Sequence, residues 1–150
     1  CEFLMAGHPG VDVSPLAKVA SGGELSRIGL AIFTLTSRNT SVPTLIFDEV
    51  DSGVGGATGE AVGRMMKQLG LTRQVLCVTH LPQVAACGDH HLKVEKVSDG
   101  IETVSYLREL NPTQRVEEIA RMLGGLLITQ KTKVLAEEMV RANSGQKSHI

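Results

Sequence analysis

Apolar residues after Ser21 recur at intervals of three and four positions, the spacing that places side chains on one face of a helix. Ser21 and Glu24 also have the Ser-x-x-Glu spacing of a capping box, which marks the start of a helix. The pattern therefore predicts a helix that begins near Ser21 and continues to about Arg38. Its apolar positions are Leu25, Ile28, Ile32 and Leu35.

Two short apolar runs, 44–47 and 74–79, are typical of strands that are buried on both faces of a parallel sheet. A helical pattern over 60–69 separates them. Strand, helix and strand in this order form a crossover unit, whose parallel strands end at the same edge of the sheet. The polar residues that follow the two strands are therefore expected to be neighbours: Asp48, Glu49 and His80.

The second half of the chain predicts a hairpin and two helices. Polar and apolar residues alternate over 92–97 and 101–107, on either side of Ser98-Asp99-Gly100, which predicts a hairpin at the edge of the sheet. A helix is predicted from Pro112 to Gly124, and a last one over 128–141. The fold class is therefore α/β, with a mostly parallel sheet, flanking helices and an edge hairpin.

Composition and charge fit one domain over 1–150 in a reducing cytoplasm. The chain has 150 residues, of which 42% are hydrophobic, enough for one core. Its net charge is -1, so the chain lacks the excess of basic residues that is typical of proteins that bind nucleic acids or membrane surfaces. No apolar run approaches the roughly 18 residues of a membrane span, so no membrane partner is expected. The chain has three cysteines, Cys1, Cys77 and Cys87, which form no C-x-x-C pair. Two of them lie in apolar surroundings and are expected to be small buried side chains.

The predicted helix start is a candidate phosphate site. Its unpaired N–H groups carry a partial positive charge, and the Ser21 hydroxyl can add a hydrogen bond. Gly22 and Gly23 leave the backbone accessible to a phosphate, and glycine costs up to about 1 kcal/mol inside a helix without such a compensating reason. The alternative is a plain capping box of Ser21 and Glu24.

The acidic pair after the first strand is a candidate catalytic site. Asp48 can hold Mg²⁺ through its water shell, while Glu49 orients and deprotonates a water molecule. His80, after the second strand, could hydrogen-bond a γ-phosphate or the attacking water. The alternatives are two solvated acids at a strand end and an exposed histidine.

The order of these motifs resembles the C-terminal lobe of an ABC ATPase head, with its signature motif, Walker B strand, D-loop and switch histidine. The amino-acid sequences of the motifs are similar to those of the RecN family, which are SMC-like ATPases of bacterial double-strand-break repair. The resemblance extends over almost the whole chain. It is strongest in three segments: 18–27, 47–56 and 79–85, the last of which contains Thr79-His80-Leu81-Pro82-Gln83.

The resemblance implies a dimer of heads at the end of a coiled coil, gated by ATP and acting on DNA in repair and recombination. ATP and Mg²⁺ would be the cofactors, and the location would be the cytoplasm, at the nucleoid. Asp48 would be the Mg²⁺ carboxylate, Glu49 the catalytic base and His80 the switch. The other implied site residues are Ser21, Gly22, Gly23 and Glu24 for the phosphate of ATP on the second head, and Asp51, Ser52 and Gly53 for the D-loop.

Two features depart from the complete pattern. Gly55 stands where the D-loop Asp of ABC proteins is expected, which leaves that role in doubt, and Asp51 is at best a partial substitute. A Gly-x-x-x-x-Gly-Lys-Ser/Thr loop and coiled-coil heptads are also missing, so we expect a partner lobe with Walker A and no ATP hydrolysis by this chain alone. The alternatives are another SMC or ABC-type ATPase head, or a non-hydrolysing dimerisation module.

Overall fold

The computed structural model describes residues 4–6, 10–36, 42–98, 100, 102–125 and 127–144. The chain forms two compact units, Cys1–Thr79 and His80–Ile150, and each is described by itself. A single domain over 1–150 therefore stays a prediction. Parts of three predicted elements lie outside the described residues: Arg38 at the end of the first helix, Asp99 of the turn and Ile101 of the second hairpin strand.

The first unit contains four strands and three helices among its described residues. In chain order they are β1 (Leu4–Met5), β2 (Ser14–Pro15), α1 (Leu16–Val19), α2 (Gly22–Thr36), β3 (Thr44–Phe47), α3 (Gly56–Gly70) and β4 (Gln74–Cys77). The described residues of the second unit form three helices and two strands. They are α4 (Pro82–Ala85), β5 (Leu92–Ser98), β6 (Thr103–Glu109), α5 (Pro112–Gly124) and α6 (Gln130–Ser144).

The predicted crossover unit is confirmed. Strands β3 and β4 pair in parallel, with Thr44 opposite Gln74 and Phe47 opposite Cys77. Helix α3, which connects them, begins four residues earlier than predicted, at Gly56, and β4 ends at Cys77 rather than at Thr79. The loops that follow β3 and β4 therefore leave the same edge of the sheet, and the α/β class is confirmed.

The core of the first unit lies between α2, α3 and the parallel strands. Helix α2 packs against α3, and α3 packs against β4. Helix α2 buries Leu30, whereas Leu35 of its apolar pattern is 84% exposed. The apolar spacing therefore locates the helix but not its buried face. The buried apolar residues of the unit are Leu30, Leu45, Val50, Val62, Met66 and Leu69.

The predicted hairpin is present in the second unit as an antiparallel pair from Leu92 opposite Glu109 to Ser98 opposite Thr103. Among the described residues, β5 and β6 form a two-stranded sheet of their own, whereas the sequence predicts that they border the parallel sheet. Helix α5 begins with a capping box of Asn111 and Gln114. It packs against α6 around a small apolar cluster: Ala86, Ile119, Ala120 and Ala136.

A charged group, Glu118, joins the hairpin to α5. Only 7% of Glu118 is exposed, and its carboxylate contacts Lys93 Nζ at 2.8 Å and Arg121 Nη2 at 2.6 Å. Burial raises the pKa of Glu118, but hydrogen bonds and positive charge from Arg121 and Lys93 lower it more, to about 2 from 4.5. The ionised carboxylate is therefore the form that the folded unit favours.

We expect Glu118→Gln to lower the free energy of unfolding by about 2 kcal/mol at neutral pH, because two cations lose their shared charged partner. The folded pKa of Glu118 lies below its unfolded value, so this stabilisation is complete above pH 4.5 and is lost as the pH falls towards 2. Chemical denaturation between pH 7 and pH 3 measures both effects. Glu117→Gln, at the exposed neighbouring position, is the control and should leave both unchanged.

Two expectations from composition can be compared with the described residues. Cys87 is buried and Cys77 is partly buried, as expected of small apolar side chains, and both are free thiols. Within the described ranges, we find no helix with the length and apolar character that crossing a membrane requires.

Candidate functional site

The capping box predicted at the start of α2 is present. The Ser21 N–H donates to Glu24 Oε2 at 2.7 Å, and the Glu24 N–H donates to Ser21 Oγ at 3.3 Å. Hydrogen bonds from the Ser21 backbone and, to a smaller extent, from the Ser21 side chain to the carboxylate lower the pKa of Glu24. Ser21 and Gly22 are exposed, so the backbone at this helix start is open to solvent. We call the segment Ser21-Gly22-Gly23 the glycine corner.

The two glycines of the corner have different surroundings. A Cβ atom at Gly23 would lie 2.9 Å from the carbonyl oxygen of Ser52 and 3.2 Å from Arg27 Nη1. A Cβ atom at Gly22 would lie 4.0 Å from Glu49 Oε2, an ordinary contact distance. Gly23 is therefore required by the close approach of the loop after β3, whereas Gly22 places the corner beside the Glu49 carboxylate.

Arg27 connects α2 to the loop after β3. Its Nη1 donates to the carbonyl oxygen of Ser52 at 2.8 Å and to that of Val50 at 3.4 Å. Arg27 lies four residues after Gly23, so both residues are on the same face of α2. The helix that begins with the glycine corner is thus held against the D-loop predicted from the sequence.

The acidic pair follows β3 directly, as predicted. Asp48 and Glu49 are both exposed. Glu49 has φ 57, in the left-handed region, which is uncommon for a residue with a side chain and costs about 1 kcal/mol. The Ser52 N–H donates to the Glu49 carbonyl at 3.0 Å, which closes a turn. Glu49 therefore sits at a sharp reversal of the backbone, where its carboxylate faces solvent.

The two residues after the acidic pair are buried, and the two that follow them are exposed. Val50 is 0% and Asp51 1% exposed, whereas Ser52 and Gly53 are exposed. The Thr79 hydroxyl donates to Asp51 Oδ2, which links the loop to the segment that follows β4. Asp51 is therefore a buried anchor of the loop, and the exposed D-loop positions are Ser52 and Gly53.

Negative charge accumulates at this edge of the parallel pair. Burial raises the pKa of the Cys77 thiol to about 12, and the charges of Asp51 and Asp48 add to the effect. Within the described ranges, no cluster of three or more His, Cys, Asp or Glu residues could hold a metal ion. Mg²⁺ is commonly bound by one or two carboxylates together with substrate phosphates, so the exposed Asp48 fits the role that the sequence predicts.

His80 is exposed and is the first residue of the second unit, so its predicted place beside Asp48 and Glu49 stays a prediction. Helix α4 begins two residues later, at Pro82. The Arg115 side chain donates to the carbonyl oxygen of Ala86 at 3.0 Å, and it also donates to backbone carbonyls at the end of α4 and in the segment between α4 and β5. The segment after His80 is thereby tied to α5.

The sequence reasoning missed three features of the site. Arg27 is the last residue of the segment 18–27 and had no predicted role, although its spacing of four from Gly23 was a usable signal. Thr79 had no predicted partner, and a buried Asp51 cannot be read from a loop that is rich in glycine. The left-handed backbone at Glu49 has no sequence signal, because glycine and asparagine are the residues that usually indicate it.

Several RecN proteins are similar to this chain in sequence, although no protein-family model matches it. The chain is 49% identical over 140 residues to the DNA repair protein RecN of Vibrio cholerae, which covers 93% of this chain and 25% of that protein. It is 50% identical over 141 residues to RecN of Xylella fastidiosa, with the same coverage. With RecN of Deinococcus radiodurans it shares 52% over 120 residues, covering 80% of this chain and 21% of that protein. The chain thus spans about a quarter of these relatives' length.

A solved structure supports the fold independently. It comes from a study of ATP-driven dimerization and DNA-stimulated activation of SMC ATPases, and it matches with a TM-score of 0.56. The match covers 79% of this chain and 70% of the other, at 23% sequence identity, so it bears on the fold alone. Taken with the RecN alignments, it confirms the resemblance read from the motifs: over nearly its whole length, the sequence of this chain is similar to one part of the RecN DNA repair proteins, and its α/β fold is similar to that of a solved SMC ATPase structure.

Proposed function

We propose that this chain supplies one catalytic half of an ATPase head in a RecN-like DNA repair protein. The observation that carries the proposal is the position of the exposed Glu49 carboxylate beside the glycine corner, 4.0 Å from where a Gly22 Cβ would lie. A helix start suited to phosphate and an acid suited to activate water thus share one surface.

Each side chain has a separate task in this proposal. Asp48 holds Mg²⁺, which when bound neutralises phosphate charge. Glu49 accepts a proton from the attacking water, and His80 hydrogen-bonds that water or the terminal phosphate. The glycine corner, with Glu24 as its cap, binds the ATP phosphate on a second head. Ser52 and Gly53 face that head as the exposed part of the D-loop, and the buried Asp51 holds them in place.

The proposed partners follow from the share of the relatives that the chain spans. A lobe with a Walker A loop would complete the nucleotide site, and a second head would supply the opposing glycine corner. Because the relatives are named DNA repair proteins, we propose DNA as the substrate that the complete protein holds. We place its activity in the repair of double-strand breaks and in recombination, in the cytoplasm.

The test is ATP-dependent dimerisation and turnover of the full-length protein with and without Mg²⁺. Asp48→Asn should lower turnover at least about a hundredfold, because the metal loses its charged ligand while the fold stays intact. Asp12→Asn, at an exposed position outside the site, should leave turnover unchanged. Turnover that survives Asp48→Asn would contradict the role of Asp48. Dimerisation by ATP without any turnover would instead favour the non-hydrolysing dimerisation module.

A further inference from the structure

Arg27 connects two parts of the proposed nucleotide site, the helix α2 and the loop after β3. One end of the contact is α2, whose first turn is the glycine corner. The other end is a pair of backbone carbonyls, those of Val50 and Ser52, at 3.4 Å and 2.8 Å from Arg27 Nη1. Gly23 lies beside this contact, because a Cβ atom at Gly23 would be 2.9 Å from the carbonyl oxygen of Ser52 and 3.2 Å from Arg27 Nη1. Gly23 and Arg27 together bring helix and loop close.

The same loop is anchored on its opposite side. Val50 and Asp51 are fully buried, and the Thr79 hydroxyl holds Asp51 at the edge of the parallel pair. The turn that begins at Glu49 is closed by the Ser52 N–H. The loop therefore joins the segment after β4 on one side to α2 on the other, and Arg27 is the side chain that makes the second connection.

We propose that Arg27 is a positioning residue that keeps the glycine corner and the Glu49 turn at a fixed separation. This inference rests on the proposed function, because the corner serves the nucleotide on the second head while Glu49 serves the nucleotide on its own. Arg27 touches neither nucleotide. Through it, movement of the loop at one nucleotide moves the corner at the other, so the two sites of the dimer are coupled within each head.

The chemistry of the contact determines which substitutions are informative. Both acceptors are neutral carbonyls, so the contact needs a hydrogen-bond donor rather than a particular charge. Arg27→Met keeps the aliphatic stem and removes the donor. Arg27→Lys keeps a single donor nitrogen, with three N–H groups, on a stem of similar length, and should therefore restore part of the function that methionine loses. Arg64→Met is the matched control, because Arg64 is exposed on α3 and pairs only with Glu60 among the described residues.

The first measurement is amide hydrogen exchange in the nucleotide-free protein, which does not depend on ATPase activity. The amides of Ser52 and Val54 report on the loop, and that of Leu25 reports on the first turn of α2. We expect Arg27→Met to raise their exchange about fivefold, the effect of one lost hydrogen bond, and Arg27→Lys to raise it less. Unchanged exchange in Arg27→Met would overturn the connection itself.

The second measurement is steady-state ATP turnover of the full-length protein, well below its melting temperature. We expect kcat of Arg27→Met to fall about tenfold, with KM within about threefold of wild type and partial recovery in Arg27→Lys. A purely structural role would lower the melting temperature and leave kcat per folded head unchanged, which would overturn the proposal. If the wild-type protein itself shows no turnover, the proposed function fails, and the exchange measurement still decides whether Arg27 holds the loop.

Discussion

Replacing Glu49 by glutamine is expected to lower ATP turnover of the full-length protein by at least about a hundredfold, the usual contribution of a general base. Glutamine has the same shape as glutamate but cannot accept a proton from the attacking water. Binding of ATP does not require that proton transfer, so we expect the ATP-bound head dimer to accumulate. Turnover by phosphate release and dimerisation by analytical ultracentrifugation measure the two effects separately.

The backbone at Glu49 provides an internal control. Glutamine at position 49 must adopt the same left-handed backbone, φ 57, as glutamate does. The melting temperature of the Glu49→Gln protein should therefore match that of the wild type. Glu60→Gln on α3, which removes an exposed partner of Arg64, should leave turnover unchanged. If Glu49→Gln retained wild-type turnover, Glu49 would not be the base, and the assignment of the acidic pair would have to be abandoned.

Replacing Gly23 by alanine is expected to lower the free energy of unfolding by about 1–3 kcal/mol, although alanine is the better helix former. The added Cβ would lie 2.9 Å from the Ser52 carbonyl oxygen and 3.1 Å from the Ser52 Cβ, so backbone must move. The movement would also displace the carbonyl that Arg27 binds. Urea denaturation of both proteins measures the difference.

Gly22→Ala is the matched control for this prediction. It adds the same methyl group one residue earlier, where the only neighbour within reach is Glu49 Oε2 at 4.0 Å. We expect no loss of stability, and a gain of up to about 1 kcal/mol from helix propensity. Equal effects of the two substitutions would show that helix propensity, and not contact with Ser52, decides why glycine stands at position 23.

Features that depend on residues close along the chain could be predicted, whereas those that depend on contacts between distant segments could not. The capping box of Ser21 and Glu24 involves residues three apart, so its geometry could be read from spacing alone. The hairpin turn was predicted in the same way, from alternation on both sides of Gly100. The buried face of α2, where Leu30 lies, could not be predicted, because α2 packs against α3, a helix that comes later in the chain.

The site shows the same division. Asp48 and Glu49 could be located because the change from apolar to acidic residues marks the end of β3. The crossover rule then places β3 next to β4. The pairing of Asp51 with Thr79 could not be predicted, since it depends on the register of two strands and on how deeply the loop turns inward. The same holds for the pKa of Glu118, which is set by charges from β5 and from its own helix.

The sequence by itself determined the crossover unit, the hairpin, the four longer helices and the identity of the groups that can do chemistry, because capping, periodicity and strand ends depend on residues close along the chain. It did not predict the short elements: β1, β2, α1 and α4. Only the tertiary structure decided why Gly23 has no side chain, which atoms Arg27 binds and where Asp51 points. These depend on distances between segments 25 to 30 residues apart, which packing sets and local pattern does not encode. The glycine corner is therefore a candidate phosphate-binding site that the sequence predicts, and its Gly23 is also a packing contact that only the structure shows.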